Sequence, residues 1–282
     1  MVTLRAGHDV AYFTRGSCAG GCVGAMAYYT ASGEPPGQWA GKGARSLGLD
    51  RQVDPDVIER LYQKGIGPGG EMLLHPRVPK PVREREDAAV AAFMTEHPFA
   101  SAVELAEIRA AERAKEAAGR VPYYDLTIST AKSVSVLHAS LKLAAKRARD
   151  DGDQDAADAL DGEADGIETD LTESARLAVG QLEEEACYTR TGHHSSTTGE
   201  WRDGTGLTAG LFTHHISRDG DPQLHVHVAI ANLVQRADEA DHQWRALDGA
   251  QLYQLKLSVA AAADREMESR LIRRGYAMGA AG

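Results

Sequence analysis

The stretch that most restricts the fold is Thr213–Val228, THHISRDGDPQLHVHV. Two runs that read as strands flank Asp219-Gly220-Asp221-Pro222, whose residue types favour a turn. In a strand, residues two apart share a face. His225 and His227 therefore project together, while Val226 and Val228 point the other way, into a core. The turn brings the preceding strand alongside, and with it His214 or His215 as a third imidazole; these two neighbours face opposite sides. Three imidazoles on one sheet face with open coordination positions are the pattern of a catalytic metal rather than a structural one. The plain alternative is a hairpin whose histidines are ordinary surface or core residues.

The rest of the chain alternates helices and strands. Met1 to Arg5 reads as a strand, and residues 8–15 and 23–31 as helices separated by the glycine-rich GSCAGG. Residues 32–50 read as a loop, and Asp54-Pro55 opens a helix to about Lys64 with Asp as N-cap. Helices are expected over 86–96 and 102–118, a strand over Tyr123–Ser129, and a helix over 132–149 with Val134, Leu137, Leu141 and Ala145 on one face. A helix over 167–188, strands over 205–217 and 223–234, and a helix over 248–274 complete the chain. This pattern predicts an α+β fold, one domain over residues 1–282 with an antiparallel sheet at its centre.

Net charge by itself argues against a nucleic-acid partner, but its distribution does not. Residues 150–185 hold fourteen Asp and Glu against one Arg, so this stretch carries −13 of the chain's net −10 and the remainder is +3. Residues 150–166 have the composition of an acidic, solvated, disordered insert. Cys18, Cys22 and Cys187 cannot all pair, and no second Cys or His pair accompanies Cys18 and Cys22, so reduced thiols are expected. No signal peptide and no run of eighteen apolar residues is present, which reads as a cytoplasmic protein without a membrane partner.

Asp125, on its strand, is a natural acceptor for the N–H of a ligating imidazole, fixing the tautomer and raising ligand basicity. Lys132 opens the following helix, where a cation and free backbone N–H groups suit a phosphate.

The segment HHISRDGDPQLHVHV resembles the three-histidine motif of the HUH endonucleases, most closely the TrwC/TraI-type (MobF) conjugative relaxases. YYDLTISTAKSVSVL at 123–137, YYTASGEPPGQWAGKGARSLGL at 28–49 and WRALDGAQLYQLKLSVAAAADREMESRL at 244–271 are similar to further family segments, in the family's order. Ala131 stands where the family often carries proline. The resemblance selects His214, which precedes Ser217-Arg218 at the family's spacing, with His225 and His227; His215 then faces away. It implies a palm-like antiparallel sheet flanked by helices, and Asp125 behind the metal ligands.

The activity implied is nicking of one DNA strand at a plasmid transfer origin by tyrosine attack, leaving a 5′-phosphotyrosyl link that is later religated. A phenol has a pKa near ~10 and needs activation. Tyr12 matches the first of two family tyrosine clusters, with Phe13 replacing its second tyrosine; Tyr28 and Tyr29 match the second. Consecutive helix residues diverge by about 100°, so Tyr28 and Tyr29 cannot both face one metal, and a straight helix would part Tyr12 from Tyr28 by about 24 Å. Tyr12 is expected to cleave first and Tyr28 to make the second transfer, with Tyr29 as substitute. Arg218, Lys42 and Arg190 are expected on phosphates and Trp39 on a base.

The resemblance implies Mg or Mn in function; three neutral nitrogens also suit Zn, Co or Ni. Its implied partners are single-stranded origin DNA, a C-terminal helicase in the full-length protein and a conjugation coupling apparatus. A rolling-circle replication initiator shares the histidines but not the 28–49 and 244–271 segments. A three-histidine hydrolase of small molecules needs no N-terminal tyrosines, and a DNA-binding module without catalysis needs no metal.

Overall fold

The computed structural model describes residues 2–9, 35–74, 81–114, 121–192, 199–217, 221–238, 243–277 and 279. In chain order its elements are β1 (Val2–Gly7), β2 (Gln38–Ala40), α1 (Lys42–Ser46) and α2 (Pro55–Glu59), which runs on into a wider π turn (Arg60–Lys64). There follow α3 (Val82–Glu96), α4 (Ala102–Ala114), β3 (Tyr123–Ser129), α5 (Lys132–Asp150) and α6 (Gln154–Glu185). The chain continues through β4 (Tyr188–Thr191), β5 (Glu200–Asp203), β6 (Ala209–Ile216), β7 (Pro222–Ala231), β8 (Val234–Gln235), β9 (Trp244–Arg245) and α7 (Ala250–Arg273). Where the sequence reads as one domain, the chain divides into two compact units, residues 75–120 and the remainder.

The larger unit is built on a five-stranded antiparallel sheet in the order β1-β3-β7-β6-β2. β7 is central and, from Leu224 to Ala231, buried on both faces, one face presenting Leu224, Val226, Val228 and Ile230 and the other His225, His227, Ala229 and Ala231. Leu224, Val226, Val228 and Ile230 meet Leu126 and Ile128 of β3, together with Ile167, Leu171, Val179 and Leu182 of α6 and Leu252, Val259 and Leu271 of α7. On the opposite face, Ala229 and Ala231 are small, and Trp39, Tyr62, Tyr123 and Phe212 fill the space above them in a second core. Tyr62 donates from its hydroxyl to the Ala229 carbonyl at 2.7 Å, so this buried phenol is satisfied where it stands.

Residues 150–166 depart from the expected disordered insert. They span the end of α5, a turn and the first part of α6. Asp153 caps α6, accepting from the Ala156 N–H at 3.0 Å. Ala157, Ala164 and Ile167 are fully buried, the apolar spacing of a packed helix. Two of the acidic residues have cations opposite them on α5: Lys142 reaches Asp165 at 2.5 Å and Asp161 at 3.4 Å, and Arg149 pairs with Asp161. Negative charge in the first turns also suits the helix dipole. Composition alone hides this, because it records the acids but not the basic face of the preceding helix.

Residues 32–50, expected as a loop, contain β2 and α1. Gly41 joins them at φ 96°, and a Cβ there would lie 2.1 Å from the Leu207 carbonyl oxygen, so only glycine fits. The stretches 188–191 and 200–203 form a two-stranded ribbon that the sequence reading did not contain. The smaller unit holds α3 and α4. Ser101 and Glu104 form a capping box at the start of α4, and Glu86 pairs with Arg113 at 2.7 Å. Among the described residues, no helix is long and apolar enough to cross a membrane.

Candidate metal centre

Strand alternation delivers the predicted convergence. His214 and His225 are direct cross-strand partners, and His227 lies two residues further along β7, opposite Phe212. The register shifts between His214 and Ile216, an irregularity at the edge of the site of the kind that re-aims side chains. The three ring centroids are 5.0, 5.1 and 5.3 Å apart, and one nitrogen from each ring lies within 4.8 Å of the others.

The outward nitrogens are set by partners on the far side of the rings. His227 Nδ1 is 2.9 Å from both carboxylate oxygens of Asp125 and 3.3 Å from Thr127 Oγ1. His225 Nδ1 is 2.8 Å from the Gln223 carbonyl oxygen. A carbonyl only accepts, so His225 carries its proton on Nδ1; the carboxylate draws the His227 proton to Nδ1 likewise, and each Nε2 is left as a lone pair facing the cluster. Burial, reinforced by the His227 and His225 rings, holds the His214 pKa down at about 3. Burial also lowers His225, opposed by its bond to Gln223. His214 and His225 are therefore neutral near neutral pH, the ligating state. A buried set of imidazoles, two of them oriented from behind, fits a divalent transition ion held by three protein nitrogens with further positions open. His215 points to the other face of the sheet, as the resemblance implies.

The remaining predicted residues divide. Tyr12, Tyr28, Tyr29 and Arg218 lie outside the described residues. Lys132 is exposed, and its Nζ donates to the Pro222 carbonyl at 2.9 Å, tying the start of α5 to the start of β7 beside the histidines. Lys42 is exposed at the start of α1, its backbone N–H bonded to Glu183. Trp39, expected to stack on a base, is instead buried against Tyr62, with ring centroids 6.2 Å apart. It lies on β2, whose side chain at this position turns onto the small residues of β6 and β7, so packing claims the indole. Arg190 is held by Asp248 at 2.8 Å and lies 4.9 Å from the centre of the Trp201 ring. Trp201 itself is half-exposed and donates to the same carboxylate at 2.7 Å. Sequence reasoning passed over Trp201 and Asp248. An isolated tryptophan and an aspartate forty-seven residues on carry no signal until β4, β5 and the start of α7 meet.

A sequence model described as TrwC relaxase matches residues 6–282. The chain is 28% identical over 214 residues to the multifunctional conjugation protein TraI of Escherichia coli, an alignment covering 74% of this chain and 8% of TraI. The chain thus spans a small fraction of that curated relative's length. Its fold is similar to that of conjugative relaxase TrwC in a metal-free complex with oriT DNA, at a TM-score of 0.59 and 23% identity over 100% of this chain and 72% of that one. A copper-bound complex of TrwC with oriT DNA gives a TM-score of 0.57 and 24% identity over 89% and 63% of the two chains. The sheet order, the three-histidine face and a match that runs through nearly every residue agree: the chain belongs to the TrwC relaxase family.

Proposed function

We propose that this chain nicks and rejoins one strand of DNA at a plasmid transfer origin, in a metal-dependent reaction through a 5′-phosphotyrosine. The observation that carries the reading is the convergence of His214, His225 and His227, with Asp125 behind His227, in a member of the TrwC relaxase family. TrwC, with the same fold, was solved on oriT DNA and with bound metal.

A divalent ion on the three histidines would supply Lewis-acid stabilisation of charge on the scissile phosphate. The chain's own residues do the rest. Asp125 keeps the His227 proton on Nδ1 and the Gln223 carbonyl does the same for His225, so both rings keep a fixed orientation. A tyrosine oxygen attacks phosphorus, a tyrosine O–P bond forms and the bond to the 3′ oxygen breaks; the phenol gives up its proton and the departing 3′ oxygen takes one up, so that overall one proton passes from tyrosine to the new 3′-hydroxyl. The phosphodiester energy is kept in the new ester, and reversal rejoins the strand. Tyr12 is our choice for the first attack and Tyr28 for the second transfer, with Tyr29 as substitute. Lys132, Lys42, Arg190 and Arg218 are proposed phosphate contacts, and exposed Trp201 takes over the stacking role first given to Trp39. Mg or Mn is the proposed working ion, with Zn, Co or Ni as further ions the same nitrogens can bind. A helicase, a coupling apparatus and a cytoplasmic location belong to the same proposal.

A single-stranded oligonucleotide carrying a transfer-origin nick site tests it. Metal-dependent cleavage with a covalent adduct on a denaturing gel is expected, and peptide mapping should find the DNA on Tyr12. Tyr12→Phe should abolish the first adduct, and Tyr28→Phe should spare it but block a second transfer. An adduct on Tyr28 or Tyr29 in the wild type reverses the tyrosine order alone. Product released freely, with no tyrosine adduct, would point to a hydrolase.

A further inference from the structure

His215, turned away from the first metal centre, has partners of its own behind the sheet. Its Nε2 lies 2.9 Å from Glu168 Oε1 of α6, and His138 Nε2 of α5 lies 2.8 Å from the same oxygen. The two rings are 5.0 Å apart between centroids, the spacing seen within the front triad. One donor atom from each of the three residues lies within 4.8 Å of the others. With metal–ligand bonds of about 2.0–2.2 Å, donors in a tetrahedral zinc site stand about 3.3 Å apart, so the two nitrogen–oxygen separations need open by only about half an ångström or less.

We propose that His138, Glu168 and His215 form a second divalent transition-metal site, of the zinc class. Two imidazoles and one carboxylate are a ligand set that zinc accepts with a fourth position left for water. His138 is buried, while Glu168 and His215 keep partial exposure, with the His215 Nε2 donor itself turned inward. On binding, each Nε2 becomes a ligand and its ring proton moves to Nδ1. The ion would pin α5 and α6 to the back of β6, one peptide bond from His214, and so stiffen a ligand of the front centre. This holds whether or not the front triad acts on DNA.

The test uses the full chain with both β7 ligands removed, His225→Ala/His227→Ala, stripped of metal and given Zn²⁺ alone. About one zinc per chain, retained through gel filtration and measured by elemental mass spectrometry, is expected, with a rise in Tm. Adding Glu168→Gln, which keeps the side chain's size and its acceptor oxygen, should reduce the zinc to near zero, as should His138→Gln. No zinc on the double variant would overturn the proposal, leaving a histidine–glutamate hydrogen-bonded cluster. Zinc that persists in folded Glu168→Gln and His138→Gln proteins would overturn it as well, by putting the ion elsewhere. Should those variants not fold, anomalous scattering at the zinc edge from crystals of the double variant decides: a peak among the three side chains supports the site, and its absence there rejects it.

Discussion

Asp125 and His227 meet at 2.9 Å although they are not cross-strand partners: Asp125 pairs with Ala229, and His227 with Thr127. They are diagonal neighbours on one face of adjacent strands, within reach of side chains of this length. The alanine opposite Asp125 leaves the carboxylate room to lean along the strand toward the imidazole. Asp125→Asn keeps the shape and removes the charge. It should weaken Mn²⁺ or Zn²⁺ binding at the front centre by about 10–100-fold. Calorimetric titration of His138→Gln protein, which isolates that centre, measures it; unchanged affinity would make the contact incidental.

His214 and His215 differ by one position and by one face of the sheet. His214→Ala, His225→Ala and His227→Ala should each abolish oligonucleotide cleavage while leaving much of the DNA binding, because phosphate and base contacts lie elsewhere. His215→Ala should retain most cleavage. A gel assay of all four variants under one condition reads the contrast directly. If His215→Ala is the dead variant and His214→Ala is active, the register is off by one.

Ile167 is fully buried at the seam of α5, α6 and the sheet. Ile167→Ala should cost about 2–5 kcal/mol, the range for truncating a large buried aliphatic side chain. Deleting residues 150–166 should prevent cooperative folding, since Ala157 and Ala164 are buried within the deleted stretch. Urea unfolding followed by circular dichroism tests both. A deletion that folds as well as the parent would show that the segment is not part of the packed core.

Glu168 gives the metal-free protein a defined acid sensitivity. Burial raises its pKa, but the His138 and His215 rings beside it outweigh burial and bring it to about 2, from 4.5 unfolded. Lys142 of α5 also interacts electrostatically with it. A depressed carboxylate pKa stabilises the fold above the unfolded value, and that contribution is lost as pH falls from 4.5 toward 2. Apparent stability should drop through this window in the wild type and drop less in Glu168→Gln. Chemical denaturation at a series of pH values compares the slopes, and equal slopes would mean that Glu168 carries none of the effect.

The sequence by itself determined the hairpin and the shared face of His225 and His227, because strand alternation is strict: two histidines separated by one valine must share a face, and the valine must enter a core; it left His214 and His215 as alternatives, between which the family resemblance chose, and the register with its shift came from the structure. Asp125 was legible as an acceptor for an imidazole N–H, and the resemblance put it behind the ligands; the pairing of β3 with β7 is what sets it beside His227. Only the tertiary structure decided what depends on who the neighbours are. The acidic stretch became a packed helix because α5 sets Lys142 and Arg149 against it. Trp39 became core because Ala229 and Ala231 leave a space that an indole fills. His138, Glu168 and His215 lie far apart along the chain and form a cluster only where two helices cross the back of β6. Local periodicity reports which way a side chain points; it carries no information about what distant segment arrives there.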